Sequence, residues 1–443
     1  MENLSAIPAF ASQKSLSETQ SPTTSIRHFS PRFFLSLCSA NCVHLDEPLK
    51  PRDVLATLHA LLSAVFILLS LAFALGLPLT WLMRWVGRRA EAHDTAPLPG
   101  QTKAPIRRVP NTGGVAIYLA IVLPLLTVVL ALRLAPETLL DFAPPLRPHL
   151  PGLVHSASGV LIFLACLTGL HIMGLVDDRR PLGPFLKLTV MLIASGVVVL
   201  TIDNTRLLTA IDSQVGGPWL SIAVTMFWIV VVTNAMNFMD NMDGLTAGVS
   251  VIAGSCFLAA ALVHGQWFIA SALALVIGAC MGFLVFNFPS RLAGPDKRAS
   301  IFMGDGGSLV LGFTLAFLTV RTTFLGSGGG TTESGGITNN WYGVLMPLFV
   351  LAVPLYDFTS VCIIRVRAGR SPFVGDLNHL SHRLTRMGLT ARDAVLVIYG
   401  LTAVTSIGGI ALGSLAPWQA ALVTVQTALV LLGVAWFEWR RRG

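Results

Sequence analysis

Asp177 and Asp178 close an apolar run in Gly174-Leu-Val-Asp177-Asp178. A denser group follows in Asn234-Ala-Met-Asn237-Phe-Met-Asp240-Asn-Met-Asp243-Gly-Leu. A third motif, Phe302-Met-Gly-Asp305-Gly-Gly-Ser-Leu, carries a further carboxylate. An ionised carboxylate beside hydrocarbon is costly, so its recurrence at the ends of apolar runs needs a reason. A divalent cation and the phosphates it brings would supply one. Magnesium sites commonly use one or two carboxylates, with substrate phosphates and water completing the shell.

The spacing sharpens this. On a helix, Asn234 and Asn237 share a face, as do Asp240 and Asp243. Two amides and two carboxylates suit a metal, a phosphate or a sugar. Capping of a helix near Leu245 would account for Asp243 alone. Asp305 precedes two glycines and Ser308 where a helix begins, and a helix N-terminus favours anions. Phe302 suits base stacking or interfacial anchoring. A basic loop adds Arg365, Arg367, Arg370, Asp376, His379, His382 and Arg383. His379 and His382 are three apart, suited to diphosphate binding with arginine, or less well to zinc, which would want a further ligand. Lys187 opens an apolar run nine residues after Asp178 and is placed to snorkel or to neutralise a phosphate. Asp357 lies inside another run, where it would support a site by hydrogen bonding.

The elements that must position these groups are membrane helices. The 443 residues are 53% hydrophobic and 12% charged, about half the charge of a soluble domain. Apolar runs near the length needed to span a bilayer fall at about 54–82, 114–132, 153–175, 185–202, 219–236, 245–263, 267–287, 307–325, 342–364, 394–414 and 417–437. The expected fold is an all-α polytopic integral membrane protein of about 11 transmembrane helices. Loops following odd-numbered spans hold 20 basic residues, and those following even-numbered spans hold 4. The positive-inside rule then puts every motif above, and so the active-site loops, on the cytoplasmic face. The net charge of +8 is first a matter of topology, so no nucleic-acid partner is expected.

Residues 1–53 are rich in Ser, Thr and Pro with balanced charge and are expected to form a disordered tail, ahead of a transmembrane domain over 54–443. Cys166, Cys256, Cys280 and Cys362 fall inside spans as packing thiols. Cys38, Cys42 and His44 lack a second ligand pair.

Together these motifs resemble the polyprenyl-phosphate N-acetylhexosamine-1-phosphate transferases, the group of the MraY, WecA and TagO enzymes. The likeness runs in order from about Thr112 to Leu389. Gly113-Gly114, Asp177-Asp178, Asn234 to Leu245 and Gly304-Asp305-Gly-Gly-Ser-Leu match its motifs. His379-Leu-Ser-His382-Arg383 is similar to the WecA/TagO branch, with Ser381 replacing one histidine. Met191 stands where glutamine is frequent.

The resemblance implies transfer of an N-acetylhexosamine 1-phosphate, N-acetylglucosamine foremost, from a UDP-sugar to undecaprenyl or another polyprenyl phosphate, releasing UMP and starting a cell-envelope glycan. It implies Mg²⁺, or Mn²⁺, on Asp305 with Asp178 and Asn237. Asp177, Asp178, Lys187, Asp240 and Asp243 would be catalytic. Asn234, Asn237, Phe302, His379, His382 and Arg383 would bind substrate, Phe302 by stacking on uracil. A multi-pass protein of the inner (plasma) membrane follows, with a homodimer as an admissible assembly. The alternatives are an MraY-type phospho-muramoyl-pentapeptide transferase and, from other classes, an ion-coupled transporter or an intramembrane aspartyl protease. A transporter would place its carboxylates near the midplane. The protease would want Gly-x-Gly-Asp, and Phe302 stands at its first glycine.

Overall fold

The computed structural model describes residues 51–92, 107–142, 147, 150–209, 212–290, 298–324, 342–410, 412, 415 and 417–440. The tail as far as residue 50, with Cys38, Cys42 and His44, lies outside the described residues. No β-strand occurs among those described. The helices are α1 Pro51–Arg89, α2 Gly113–Leu134, α3 Pro136–Phe142, α4 Leu150–Asp177, α5 Pro184–Thr201, α6 Trp219–Met239, α7 Leu245–Val263, α8 Trp267–Asn287, α9 Asp305–Phe324, α10 Tyr342–Val350, α11 Ala352–Arg367, α12 Leu380–Arg386, α13 Ala391–Ile410 and α14 Pro417–Arg440. The chain is an all-α polytopic membrane protein.

Among the described residues nine helices are long and apolar enough to cross a bilayer: α1, α2, α4 to α8, α13 and α14. The other two expected spans are helical as well. The span at 307–325 is α9, which carries Asp305 at its start and Arg321 near its end. Its side chains from Leu309 to Leu318 are buried almost without interruption.

The span at 342–364 is broken into α10 and α11 at Leu351. Pro354 has no N–H to give the carbonyl of Val350. The Ser406 hydroxyl of α13 donates to that carbonyl instead, at 3.3 Å. A freed backbone group is tolerated in a membrane when a neighbouring side chain satisfies it in this way.

α9 is the hub, packed against α2, α4, α6, α7, α8 and α10. Between membrane helices apolar burial supplies little drive, and close packing must replace it. Glycines provide that closeness. A Cβ on Gly174 of α4 would lie 2.5 Å from the Gly306 nitrogen of α9, and one on Gly312 would lie 2.8 Å from Thr233 Cα of α6. Gly114 of α2 meets Gly307 in the same manner. The first turn of α9 is therefore gripped on several sides.

Candidate functional site

Helix ends gather around Asp305. The chain enters α9 through Gly304, whose φ of +69° belongs to the left-handed region. A side chain there would also collide with the carboxylate of Asp178, so glycine is required twice over. Asp178 caps α9: its Oδ1 accepts the Asp305 N–H at 2.9 Å and its Oδ2 the Gly306 N–H at 3.4 Å. A carboxylate at a helix N-terminus satisfies orphan donors and complements the helix dipole.

Asp177 turns the other way. Its Oδ1 accepts the Leu182 N–H at 2.7 Å, and its Oδ2 lies 2.5 Å from Lys187 Nζ. Lys187 Nζ also reaches Asp305 Oδ2 at 2.7 Å. Pro184, after Gly183, starts α5 with a preset φ and so fixes Lys187 on its first turn. One ammonium thus holds two carboxylates of three partly buried side chains. The Asn237 amide of α6 donates to Ser308 Oγ at 2.9 Å on the same turn of α9.

Asp177 and Asp305 face this cation with carboxylate oxygens, and the Asn237 amide and Ser308 hydroxyl, bonded to each other on the same turn of α9, add further oxygens to the group. Hard ligands of this kind fit magnesium, which keeps waters and substrate phosphates in its shell. Among the described residues no three His, Cys, Asp or Glu side chains group together as a metal cage. Of the adjacent aspartates it is Asp177, not Asp178, that shares a cation with Asp305. The oxygens of Asp178 are occupied by backbone.

A second group holds the segment just ahead of Asp305, residues 299–302. Arg107 donates to both oxygens of Asp243, at 3.0 and 2.7 Å, and to the Ala299 carbonyl at 2.9 Å. The Ala299 N–H donates back to Asp243 at 3.0 Å. Asp243 is therefore not a helix cap; Gly244, at φ +81°, holds that position for α7. Arg107 also lies over the Phe302 ring, 5.1 Å from its centroid. The Phe302 backbone is pinned by its N–H to Pro110 O at 2.7 Å and by its carbonyl accepting from Gly113 at 2.9 Å.

The third group is the 365–390 loop. The His379 Nδ1 faces Asp357 Oδ2 at 2.9 Å, and Asp357 Oδ1 accepts the Leu380 N–H at 2.5 Å. A carboxylate partner fixes the ring as an Nδ1–H donor. His379 meets Phe238 of α6 edge-on at 5.9 Å. Ser381 bonds Asn241, and Tyr399 of α13 donates to the Gly244 carbonyl. The loop is thereby docked on the Asn/Asp motif.

Arg365 is buried against Phe238 and pairs with Asp376 at 3.0 Å. Burial alone would raise the Asp376 carboxyl, but Arg365 and the Asn378 N–H outweigh it and hold it below the ordinary value. His382 is pushed down to about 4 by burial, then by neighbouring His379 and Arg386. At neutral pH it offers a neutral ring rather than a charge.

Other expected site residues stand apart. Arg383 is buried, with Nε on Glu438 of α14 at 2.8 Å, one amino group on Asn378 O at 2.7 Å and the other on Ser360 at 2.9 Å. Its donors are committed to the fold. Asn234 donates to Val230 O at 2.8 Å and to Met191 Sδ at 3.2 Å. Asp240 follows α6 as its C-cap, its N–H on Asn237 O at 3.2 Å. Sequence reasoning passed over Phe238, His171 and Glu438, and counted Arg107 only as a loop charge. Its position six residues before Gly113-Gly114 was the available signal.

Residues 160–323 match the family model described as glycosyl transferase family 4. The chain is 32% identical over 249 residues to the probable undecaprenyl-phosphate N-acetylglucosaminyl 1-phosphate transferase of Bacillus subtilis (strain 168), covering 56% of this chain and 64% of that protein. It is 32% identical over 365 residues to the decaprenyl-phosphate N-acetylglucosaminephosphotransferase of Mycobacterium tuberculosis (strain ATCC 25618 / H37Rv), covering 76% and 80%. It is 29% identical over 257 residues to the undecaprenyl-phosphate alpha-N-acetylglucosaminyl 1-phosphate transferase of Escherichia coli (strain K12), covering 56% and 65%.

Proposed function

Since the chain belongs to glycosyl transferase family 4, we propose that it transfers N-acetylglucosamine 1-phosphate from UDP-N-acetylglucosamine to a polyprenyl phosphate. An oxygen of the lipid phosphate attacks the sugar-bearing phosphorus, the bridging P–O bond breaks, and UMP leaves. The lipid-linked sugar diphosphate would start a cell-envelope glycan. The loop charges support a site on the cytoplasmic side of the plasma membrane.

The observation that carries this reading is Lys187, held between Asp177 and Asp305 where four helix ends converge. A phosphate monoester is largely dianionic at neutral pH, so the nucleophile needs little help from a base. The obstacle is charge, and phosphoryl transfer is mostly positioning and electrostatic stabilisation. Asp305, Asp177 and Asn237 would hold magnesium, which when bound supplies positive charge for the diphosphate. Lys187 adds a fixed cation at the same place. Asp178 keeps the first turn of α9 in register. His379, oriented by Asp357, presents its remaining ring nitrogen as a phosphate contact.

Phe302 presents a ring with Arg107 over one face, and the other face is assigned to uracil. Phe302→Ala is expected to weaken UDP-sugar binding by about 1–3 kcal/mol, the range for base stacking, with the Michaelis constant for the lipid unchanged. An effect confined to the lipid substrate would contradict stacking.

The function itself is tested by direct competition. UDP-N-acetylglucosamine, other UDP-hexosamines and the muramoyl-pentapeptide nucleotide are offered together with undecaprenyl phosphate, and the lipid products are resolved by mass spectrometry. The N-acetylglucosamine product should dominate. A dominant muramoyl-pentapeptide product would reassign the substrate, and absence of any UDP-sugar-dependent lipid product with release of UMP would overturn the reaction.

A further inference from the structure

His171 lies in the apolar body of α4, 4% exposed, and none of the chemistry above uses it. Its ring stacks on Tyr118 of α2, centroids 4.2 Å apart and planes 2° from parallel. The Tyr118 hydroxyl is bonded in turn to Thr168 at 2.6 Å. His171 Nδ1 lies 2.8 Å from the Gly306 carbonyl of α9. A carbonyl only accepts, so Nδ1 carries the proton.

His171, Gly174 and Asp178 are spaced i, i+3, i+7 and so fall on one face of α4. All three meet the first turn of α9. Asp178 accepts the N–H groups of Asp305 and Gly306, Gly174 lets the Gly306 backbone come close, and His171 donates to the Gly306 carbonyl. Asp305 is followed by Gly306 and Gly307, the residues least able to stiffen a backbone. Donor and acceptor from one helix face supply the missing restraint.

We propose that His171 is a positioning residue for Asp305, acting through the Gly306 carbonyl to fix the carboxylate that takes the divalent cation. The proposal rests on the reading of Asp305 as the metal-binding carboxylate. Outer partners of metal ligands typically change affinity or activity about 10–100-fold when removed.

The test uses the full-length protein in detergent, with Mn²⁺ binding followed by electron paramagnetic resonance without substrates, and steady-state kinetics measured separately. His171→Phe keeps a ring to stack on Tyr118 but lacks the donor. It should weaken Mn²⁺ binding and lower kcat, each about tenfold, with both Michaelis constants within about twofold. His171→Asn, whose amide nitrogen occupies the position of Nδ1, should restore both to within about twofold of the parent. His171→Leu should behave as His171→Phe and replaces it if that variant does not fold. Parent-like Mn²⁺ binding and kcat in a folded variant without the donor would overturn the proposal, provided Asp305→Asn does lose Mn²⁺. So would a His171→Asn protein as defective as His171→Phe. If Asp305→Asn binds Mn²⁺ as tightly as the parent, the reading of Asp305 itself falls and takes the proposal with it.

Discussion

Asp305→Asn should fold and insert normally yet lose about a hundredfold or more in turnover. The substitution keeps size and shape and removes one charge. Lys187 retains Asp177 at 2.5 Å, so no ammonium is stranded. Asp178 still caps the turn, because it bonds the backbone of residues 305 and 306 and not the side chain. The loss is therefore confined to electrostatics at the reacting diphosphate, and removing one dominant electrostatic group typically costs about 10²–10³ in kcat. UMP release measured across a magnesium titration decides it. Near-normal turnover at limiting magnesium would falsify the role assigned to Asp305.

Lys187→Met should be as severe for turnover and, unlike the first variant, should also destabilise the protein. The ammonium sits between two carboxylates, with side-chain exposures of 22% for the lysine, 12% for Asp177 and 27% for Asp305. Methionine fills the volume but leaves the acids facing each other, and like charges at close range resist joint ionisation. Breaking a buried pair costs about 3–5 kcal/mol, and the lower end applies where solvent reaches each partner. A divalent cation that binds the same carboxylates would offset much of that loss. The melting temperature of Lys187→Met should accordingly rise more on adding magnesium than that of the parent. A variant with parent turnover, or one whose stability ignores magnesium, defeats this account.

The sequence announced the broad architecture through physics that needs no partner information. Apolar length marks helices that face lipid, and nine of the expected spans among the described residues carry that signature. It misses the break at Leu351, where Pro354 has no N–H for the Val350 carbonyl and the Ser406 hydroxyl donates to it instead. The site was legible as residue types and not as roles. Asp177 and Asp178 are neighbours in sequence, about 100° apart around a helix, and that angle sends one to Lys187 and the other to a helix end. Arg383 was read with His379 because they share a loop. Its commitment to Glu438 was hidden because the partner lies in α14, and His171 was hidden because a lone histidine in an apolar span gives no pattern.

The pairing of Arg383 with Glu438 also orders events in time. Tyr356 donates to the same carboxylate at 3.0 Å, so α11, α12 and α14 share one knot. Of the nine long apolar helices among the described residues, α14 is the least enclosed, with 11% of its apolar stretch buried. Translation makes α12 well before α14. Until Glu438 arrives, Arg383 is a cation that must stay hydrated, because closing the loop around it unpaired carries the cost of an uncompensated buried charge. The closed form of the loop on the Asn/Asp motif is thus energetically coupled to the carboxylate of α14, so a loosely packed helix helps to set the shape of the site.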